Sequence, residues 1–266
     1  HKSSRIISIN KKEILKYVNS GGIPIITGFQ GISNNKRITT LGRGGSDATA
    51  ISIAKFFEAD DCFIYTDVSG VFTTDPKLNR KAKRIYKISY EEMLEMSSLG
   101  AKVMSTSSVQ DAMINDIDVN VRSTFINSNG TIISNNQKKI NKNAITGIAF
   151  TKNEAKITLV GVTDRPGVAA SIFKPLADNQ INVDMVVQNI SADSGQTDIT
   201  FTIIKDDLKS CIKMLKENNK ISYKKIVHDD KVSKVSIIGA GMITTPGISY
   251  RMFQALAKKK INILVI

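Results

Sequence analysis

Apolar and polar positions follow two different periods along the first half of the chain. Apolar residues recur at helical spacing over residues 6–18 and 46–59, whereas residues 23–29 and 62–68 form short apolar runs. Spacing near 3.6 residues is typical of a helix packed on one face, and a short apolar run is typical of a buried strand. The pattern therefore predicts an α/β fold in which helices alternate with buried strands.

Two further segments complete this half. Ser89 stands three residues before Glu92, a spacing that resembles a capping box at the start of a helix. The apolar pattern over residues 118–124 predicts the last strand of the first half. The polar residues 127–143 predict a loop or linker.

The second half contains an internal repeat. Each copy has an apolar strand pattern, a Pro-Gly pair, a helix pattern and the start of a second strand. Pro246 lies 80 residues after Pro166, and Ile261, where the second strand would begin, lies 80 residues after Ile181. Two matches in register predict a duplicated module.

The first copy of this module is complete. It continues with a strand over residues 198–204, a helix over 208–217 and a strand near 223–227, which gives the ferredoxin-like order βαββαβ. The second copy stops at Ile266, within its second strand. A half sheet with an unpaired edge is not stable alone, so we expect its remainder to lie outside this chain or the region to be disordered.

The run of residues 39–47 predicts an anion site ahead of a helix. Three glycines that can take positive φ surround Arg43: Gly42, Gly44 and Gly45. Ser46 or Asp47 is expected to cap the helix, whose N-terminus favours negative charge. The guanidinium of Arg43 matches a carboxylate or phosphate. The run lacks the P-loop lysine and the dinucleotide fingerprint, and by itself it is also compatible with an ordinary strand-to-helix turn.

Two charged residues elsewhere are candidates for nucleotide binding. Asp67 lies at the carboxyl end of the strand pattern 62–68, and ligands of open α/β sheets bind beyond the carboxyl ends of strands. An Asx turn is the alternative reading of Asp67. Lys102 follows Gly100 at a helix break, where it can reach phosphates or remain a solvated helix end.

Composition narrows the class of protein. With 266 residues, 41% hydrophobic and 23% charged, the chain is globular and long enough for roughly two domains. Cys62 and Cys211 are far apart in sequence, which argues against a disulfide framework and structural zinc and favours a reducing cytoplasm. His1 and His228 are the only histidines, so histidine-based catalysis is not expected.

The net charge of +13 does not by itself indicate a nucleic-acid partner. Lysines are spread along the whole chain, and aromatic residues do not interleave with them as stacking platforms. No apolar run approaches the roughly 20 residues of a membrane span. We therefore expect neither nucleic acid nor membrane as a partner.

Taken together, the motifs resemble those of an aspartate kinase: an amino acid kinase domain followed by paired ACT domains. They follow the order of that family over almost the whole length. The motifs are Gly28-Phe-Gln-Gly31, Thr39 to Asp47, Tyr65-Thr-Asp-Val68, Thr73-Thr-Asp-Pro76, Glu91-Glu-Met-Leu-Glu-Met96, Gly100-Ala-Lys102, Val121-Arg-Ser123 and Val187-Gln-Asn189.

The resemblance implies a fold and an activity. The fold is the C-terminal portion of a three-layer αβα amino acid kinase domain over residues 1–143, a ferredoxin-like ACT domain over 144–230 and an incomplete second one over 231–266. The activity is transfer of the ATP γ-phosphoryl group to the side-chain carboxylate of L-aspartate, with Mg²⁺. That carboxylate is already an ionised nucleophile at neutral pH, so no general base is needed.

The resemblance also assigns roles in the kinase portion. Arg43 would clamp the α-carboxylate of aspartate with Gly45 and Ser46 beside it, and Asp47 would orient a phosphate-binding lysine. The implied ATP contacts are Thr66, Asp67, Phe72, Lys77, Ala101 and Lys102. No protein ligand for a metal is assigned.

This chain departs from the family pattern in two ways. Many relatives carry Tyr and Arg where this chain has Phe72 and Lys77, which loses a hydroxyl and a planar fork. The family's opening Lys-Phe-Gly-Gly-Thr-Ser motif and a substrate-binding Glu are absent from residues 1–266. We therefore expect residues 1–266 alone to have no kinase activity.

The paired ACT domains imply feedback control by lysine, threonine or both, and a homo-oligomer. The implied effector contacts are Asp164, Gly167, Ala169, Asn182, Val183, Asp184 and Gln188. Two alternatives stay open: an ACT-based regulatory subunit without catalysis, and part of a bifunctional enzyme with homoserine dehydrogenase.

Overall fold

The computed structural model describes residues 5–101, 103–135, 144–190 and 195–266. They form two compact units, of which the first combines His1–Ala149 with Ser236–Ile266 and the second spans Phe150–Val235. No helix in the described ranges is long and apolar enough to cross a membrane.

Seven α-helices and ten strands are assigned within the described residues. The helices are α1 (Lys11–Asn19), α2 (Gly45–Phe57), α3 (Tyr90–Ser98), α4 (Thr106–Ile114), α5 (Val168–Asp178), α6 (Leu208–Glu217) and α7 (Ile248–Lys258). The strands are β1 (Gln30–Ile32), β2 (Ile38–Thr40), β3 (Cys62–Thr66), β4 (Lys87–Ile88), β5 (Val119–Ser123), β6 (Thr131–Ile133), β7 (Gly147–Thr163), β8 (Val186–Ile190), β9 (Gln196–Ile203) and β10 (Lys225–Ile238).

A mixed sheet in the order β3-β5-β6-β4 organises the first unit. β3 and β5 are parallel, β5 and β6 antiparallel, and β4 and β6 parallel. Cys62 and Ile64 of β3 are buried while the alternate residues Phe63 and Tyr65 are 39% and 60% exposed, so one face of this strand supplies the core. Buried residues of α2, α3 and α4 belong to the same hydrophobic cluster.

The structure corrects the predicted strand over residues 23–29. These residues form no strand, and Ile23 and Ile25 are 85% and 97% exposed. A strand satisfies its backbone N–H and C=O groups only with a partner strand, and no described segment pairs with this run. The neighbouring hairpin instead joins β1 to β2.

Three other boundaries differ from the sequence predictions. The first helix begins at Lys11, because the side chain of Asn10 caps it by accepting from Lys12 N–H. Residues 119–123 are not the last strand, since β6 follows within the stretch predicted as a loop. Neither Ser46 nor Asp47 caps α2. The helix begins at Gly45, and Gly44 is its N-cap residue.

The second unit has the predicted ferredoxin-like order. Its elements run β7, α5, β8, β9, α6, β10, and the sheet order is β10-β7-β9-β8. The second strand was predicted to begin at Ile181 but begins at Val186. Ile181 instead takes part in the turn that terminates α5: its N–H donates to the carbonyl of Leu176 at 2.9 Å.

The internal repeat is visible in the local geometry. α7 begins and ends 80 residues after α5, and each helix starts on a left-handed glycine, Gly167 with φ 85° and Gly247 with φ 84°. The two helices also end in the same way: Ile261 N–H donates to the carbonyl of Leu256, and Ile181 N–H donates to the carbonyl of Leu176. Residues 259–266 form no strand, so the second strand of this copy is absent from the described part.

A buried carboxylate joins three segments of the first unit. Ser89 caps α3 by accepting from Glu92 N–H, as predicted. The Glu92 carboxylate does not return the bond that a capping box requires; its Oε1 accepts from the Thr146 hydroxyl at 2.6 Å and from Ala240 N–H at 3.1 Å. Glu92 is 6% exposed, and its Oε2 has no hydrogen-bond partner among the described residues.

Backbone contacts reinforce this junction. Thr146 N–H donates to the carbonyl of Ile238 at 2.8 Å. A Cβ on Gly239 would lie 2.4 Å from the Ala144 carbonyl oxygen and 2.9 Å from Thr146 N. Residues 144–146 and 238–240 therefore pack too closely for any side chain at position 239.

Replacing Glu92 by Ala is expected to lower the free energy of unfolding by about 2–5 kcal/mol, because the buried Thr146 hydroxyl and the part-buried Ala240 N–H lose their acceptor. Urea denaturation monitored by circular dichroism measures this change. Glu91→Ala is the matched control, since Glu91 is exposed on the same turn of α3 and should cost below about 0.5 kcal/mol. Equal unfolding midpoints for the two variants would contradict the role of this carboxylate.

Candidate active site and effector site

The predicted anion turn has the backbone geometry that its glycines allow. Gly42 and Gly44 have φ of 83° and 75°, and Arg43 between them is exposed. Gly45 is not among the residues with positive φ; it is needed for a different reason. A Cβ there would lie 2.9 Å from both the Leu41 Cβ and the Phe29 Cδ2.

Within the part of the chain that the structure describes, no side chain caps the N-terminus of α2. Gly44 occupies the N-cap position without a side-chain hydrogen bond, whereas Ser89 and Ser105 cap α3 and α4. Arg43 makes no salt bridge with any described residue. An uncapped helix start beside a free guanidinium is suited to bind an anion, because both offer N–H donors and positive charge.

The Gly28-to-Gly31 motif packs against this helix start. Phe29 N–H donates to the Thr49 hydroxyl at 3.2 Å, and that hydroxyl donates to the carbonyl of Gly45 at 2.8 Å. A Cβ on Gly28 would lie 3.2 Å from the Cα of Ser46. The structure thus brings together two motifs that the sequence could place only in order.

Sequence reasoning missed the serines that hold the other side of the turn. The buried Ser108 donates its hydroxyl to the carbonyl of Gly44 at 3.1 Å. A Cβ on Gly44 would lie 2.2 Å from Ser105 Oγ. The only sequence signal is the hydroxyl-rich run 105–108 at the start of α4, which resembles an ordinary helix cap.

The carboxyl of Asp47 lies half-buried in the first turn of α2. Desolvation by burial raises its pKa above the ordinary value for aspartate. Burial also raises the pKa of the Cys62 thiol, and the Asp47 carboxylate adds to that rise. Asp47 is therefore close enough to the start of β3 to act on it electrostatically.

Because the pKa of Asp47 is raised, folding disfavours its ionised form, and stability should fall as the pH rises through its titration range. Asp47→Asn is expected to be more stable than the unmodified protein at pH 7 and equally stable below about pH 3.9, where the carboxyl is neutral in both folded and unfolded states. Urea unfolding between pH 3 and 8 checks this. The exposed Asp61→Asn is the control, and identical pH slopes for the two variants would refute the prediction.

Two of the residues predicted to bind nucleotide, Thr66 and Asp67, lie at the carboxyl end of β3. Thr66 is the last residue of β3, and its hydroxyl donates to the Asp67 carboxylate at 3.1 Å. β5 ends alongside, with Ser123 opposite Thr66 and Thr124 N–H donating to the Thr66 carbonyl. Two parallel strands therefore end together, which is where open α/β sheets bind ligands.

The other predicted nucleotide contacts are more scattered. Phe72 forms an isolated bridge with Arg84, and exposed Lys77 donates its N–H to the Asp75 carboxylate. Ala101 packs against the core, and Lys102 lies outside the described residues. No hydrogen bond or ion pair among the described residues joins Thr66 or Asp67 to the start of α2.

The predicted effector residues in the second unit fall into two groups. The first is the uncapped start of α5, where Gly167 is the N-cap and Ala169 is exposed. Asp164 precedes it, exposed, with its N–H bonded to the carbonyl of Gly195. Arg165 lies two residues before this N-cap, but unlike Arg43 its guanidinium is already bonded, since it donates to the carbonyl of Lys220 at 2.9 Å.

The second group surrounds Asp184. Asn182 is exposed, Val183 packs against the core of the unit, and Gln188 is an exposed residue of β8. The Asp184 carboxylate forms an ion pair with the ammonium of Lys234, which also lies 3.9 Å from Glu154 Oε1. Asp184 therefore already contacts a cationic amine in this structure.

Comparisons with known proteins agree with this architecture. Residues 1–123 match the amino acid kinase family, and residues 157–218 and 235–266 match an ACT domain. The fold and the site thus define an amino acid kinase segment followed by ACT segments. This agreement confirms the predicted fold class.

Individual relatives narrow the family. The chain is 43% identical over 268 residues to aspartate kinase of Pseudomonas fluorescens (strain SBW25), covering all of this chain and 65% of the relative. E. coli aspartokinase III in complex with aspartate and ADP superposes with a TM-score of 0.73 at 29% identity, over 93% of this chain and 55% of that one. The same enzyme with lysine and aspartate gives 0.67 at 30% identity, over 86% and 50%. The chain is therefore similar to aspartokinases along its whole length.

The chain spans about 65% of the length of the curated relatives that it matches.

Proposed function

We propose that the protein carrying this sequence is an aspartate kinase. It transfers the γ-phosphoryl group of ATP to the β-carboxylate of L-aspartate, giving 4-phospho-L-aspartate and ADP, the first step of lysine, threonine and methionine biosynthesis. The observation that carries the proposal is the free guanidinium of Arg43 at the uncapped start of α2. The relatives support it, since the E. coli enzyme was crystallised with aspartate and ADP.

Arg43 binds the α-carboxylate of aspartate, and Gly45 and Ser46 contribute the helix start beside it. A guanidinium pairs with a carboxylate through two parallel hydrogen bonds, which fixes the orientation of the substrate. The β-carboxylate is then free to attack the γ-phosphorus while the bond to the ADP oxygen breaks. Because that carboxylate is already ionised at neutral pH, positioning and charge neutralisation are sufficient and no side chain need remove a proton.

Asp47 orients a phosphate-binding lysine in this scheme. Its carboxyl lies half-buried, and burial raises its pKa. A nearby ammonium would offset that effect, because an opposite charge favours the ionised form. A half-buried carboxylate such as Asp47 therefore gains more from a nearby ammonium than a solvated surface carboxylate would, which supports this role.

ATP binds across the carboxyl ends of β3 and β5. Thr66 and Asp67 contact its base and ribose, and Phe72, Lys77, Ala101 and Lys102 complete the site. A Mg²⁺ ion bound with the phosphates would neutralise part of their charge. No group of three or more His, Cys, Asp or Glu in the described part could hold a metal.

Arg43→Lys in the full-length natural protein is expected to raise the KM for aspartate at least tenfold and leave the KM for ATP within twofold, because lysine keeps the charge but loses the bidentate fork. Coupled ADP-release kinetics measure both constants. Arg37→Lys is the matched control, an exposed arginine after the β1 strand that contacts no proposed ligand. An unchanged KM for aspartate in the Arg43 variant would remove Arg43 from the substrate site.

We propose that the ACT domains, with limits at residues 144–230 and 231–266, bind lysine, threonine or both, and that the protein is a cytoplasmic homo-oligomer assembled through them. The start of α5 binds the effector's α-carboxylate, because its first-turn N–H groups have no side-chain cap. Asp164 and Asp184 receive its amine, and Asn182, Val183 and Gln188 line the site. A lysine complex of the E. coli relative supports this class of effector.

Asp184→Asn is expected to weaken effector binding at least tenfold, since a charged partner for the amine is lost. Isothermal titration of the full-length natural protein with lysine and with threonine measures the affinities. Asp178→Asn is the control, because Asp178 has similar exposure, 57% against 50%, and pairs with Lys174 on α5. The absence of heat with both amino acids in the unmodified protein would remove the regulatory proposal.

A further inference from the structure

The serines at the start of α4 form a hydrogen-bonded chain that ends at the anion turn. Ser107 and Ser105 are linked at 3.1 Å, Ser105 and Ser108 at 2.7 Å, and Ser108 and the Gly44 carbonyl at 3.1 Å. Ser108 is fully buried. These contacts tie α4 to the residue that immediately follows Arg43.

The direction of this chain follows from the number of hydrogens. A serine hydroxyl has one hydrogen to donate, and that of Ser108 is used on a carbonyl oxygen, which can only accept. Ser105 must therefore donate to Ser108, and Ser107 must donate to Ser105. Every bond points toward Gly44, so each hydroxyl polarises the next in the same sense.

The Gly44 carbonyl is the point on which both helices converge. It accepts from Ala48 N–H at 3.0 Å, the first hydrogen bond of α2, and from the Ser108 hydroxyl. Both of its lone pairs are then occupied. The left-handed backbone of Gly44 is also enclosed, since Ser105 Oγ occupies the place where a Cβ would project.

We propose that Ser108 is a positioning residue for aspartate binding, acting through the Gly44 carbonyl on Arg43. Glycines on both sides of Arg43 give the turn much conformational freedom, which must be removed before the guanidinium can hold a carboxylate in one orientation. The bond from Ser108 fixes the peptide between Gly44 and Gly45, one residue beyond Arg43, to the start of α4. This assignment rests on the proposed aspartate kinase function.

Ser108→Ala in the full-length natural protein is expected to raise the KM for aspartate about fivefold to tenfold, the range that corresponds to one lost hydrogen bond. The kcat and the KM for ATP should stay within twofold, because no hydrogen bond among the described residues joins Ser108 to Thr66 or Asp67. Ser98→Ala is the matched control: its hydroxyl donates to a helix carbonyl, that of Glu95 at 2.9 Å, but on the exposed side of α3. Ser98→Ala should leave all three constants unchanged.

Hydrogen exchange tests the tether apart from the reaction. The amides of residues 42–47 should exchange faster in Ser108→Ala than in Ser98→Ala, while those of α3 exchange equally in both. Should Ser108→Ala fail to fold, Ser108→Cys retains a side chain at this position with a much weaker donor and is expected to show the same two shifts.

The outcomes separate the two proposals. Unchanged exchange at residues 42–47, or equal KM values for aspartate in the two serine variants, would overturn the role of Ser108 while the kinase function stands. Failure of the unmodified natural protein to phosphorylate aspartate would overturn the kinase function, and the positioning role with it.

Discussion

The start of α2 is held by backbone geometry and not by a side-chain cap. Gly44 adopts a left-handed conformation, its carbonyl accepts from Ala48 and Ser108, and the first turn of the helix is left open. If a residue with a Cβ stood there, it would collide with Ser105. Arg43 is exposed beside this uncapped helix start, and the proposed substrate chemistry depends on this arrangement.

The same solution recurs in the second half of the chain. α5 and α7 also start on left-handed glycines without a side-chain cap, and their lengths and end geometry match across the repeat. An uncapped helix start is costly in isolation, since its N–H groups lose a partner. Its use at three helices of one chain is consistent with sites that bind carboxylates of amino acids.

Much of the architecture could be read from the chain because local signals were strong. The repeat could be predicted from its constant offset of 80 residues, and the Leu208–Glu217 helix from the spacing of its apolar residues. The prediction at residues 23–29 was wrong because a run of Ile and Pro says nothing about whether a partner strand is available. Ile181 was assigned to a strand because no sequence pattern indicates the hydrogen bond from its N–H to the Leu176 carbonyl, which terminates α5.

Sequence alone determined the class of protein, since the order of motifs and the duplicated module are properties of the chain. It also singled out Arg43 as a candidate anion ligand, because a single arginine among three glycines is visible without coordinates. Only the tertiary structure revealed Ser108 at Gly44 and Glu92 between Thr146 and Ala240. Those contacts join residues from 54 to 148 positions apart, and hydrogen bonds over such separations depend on how elements pack, which no local pattern encodes.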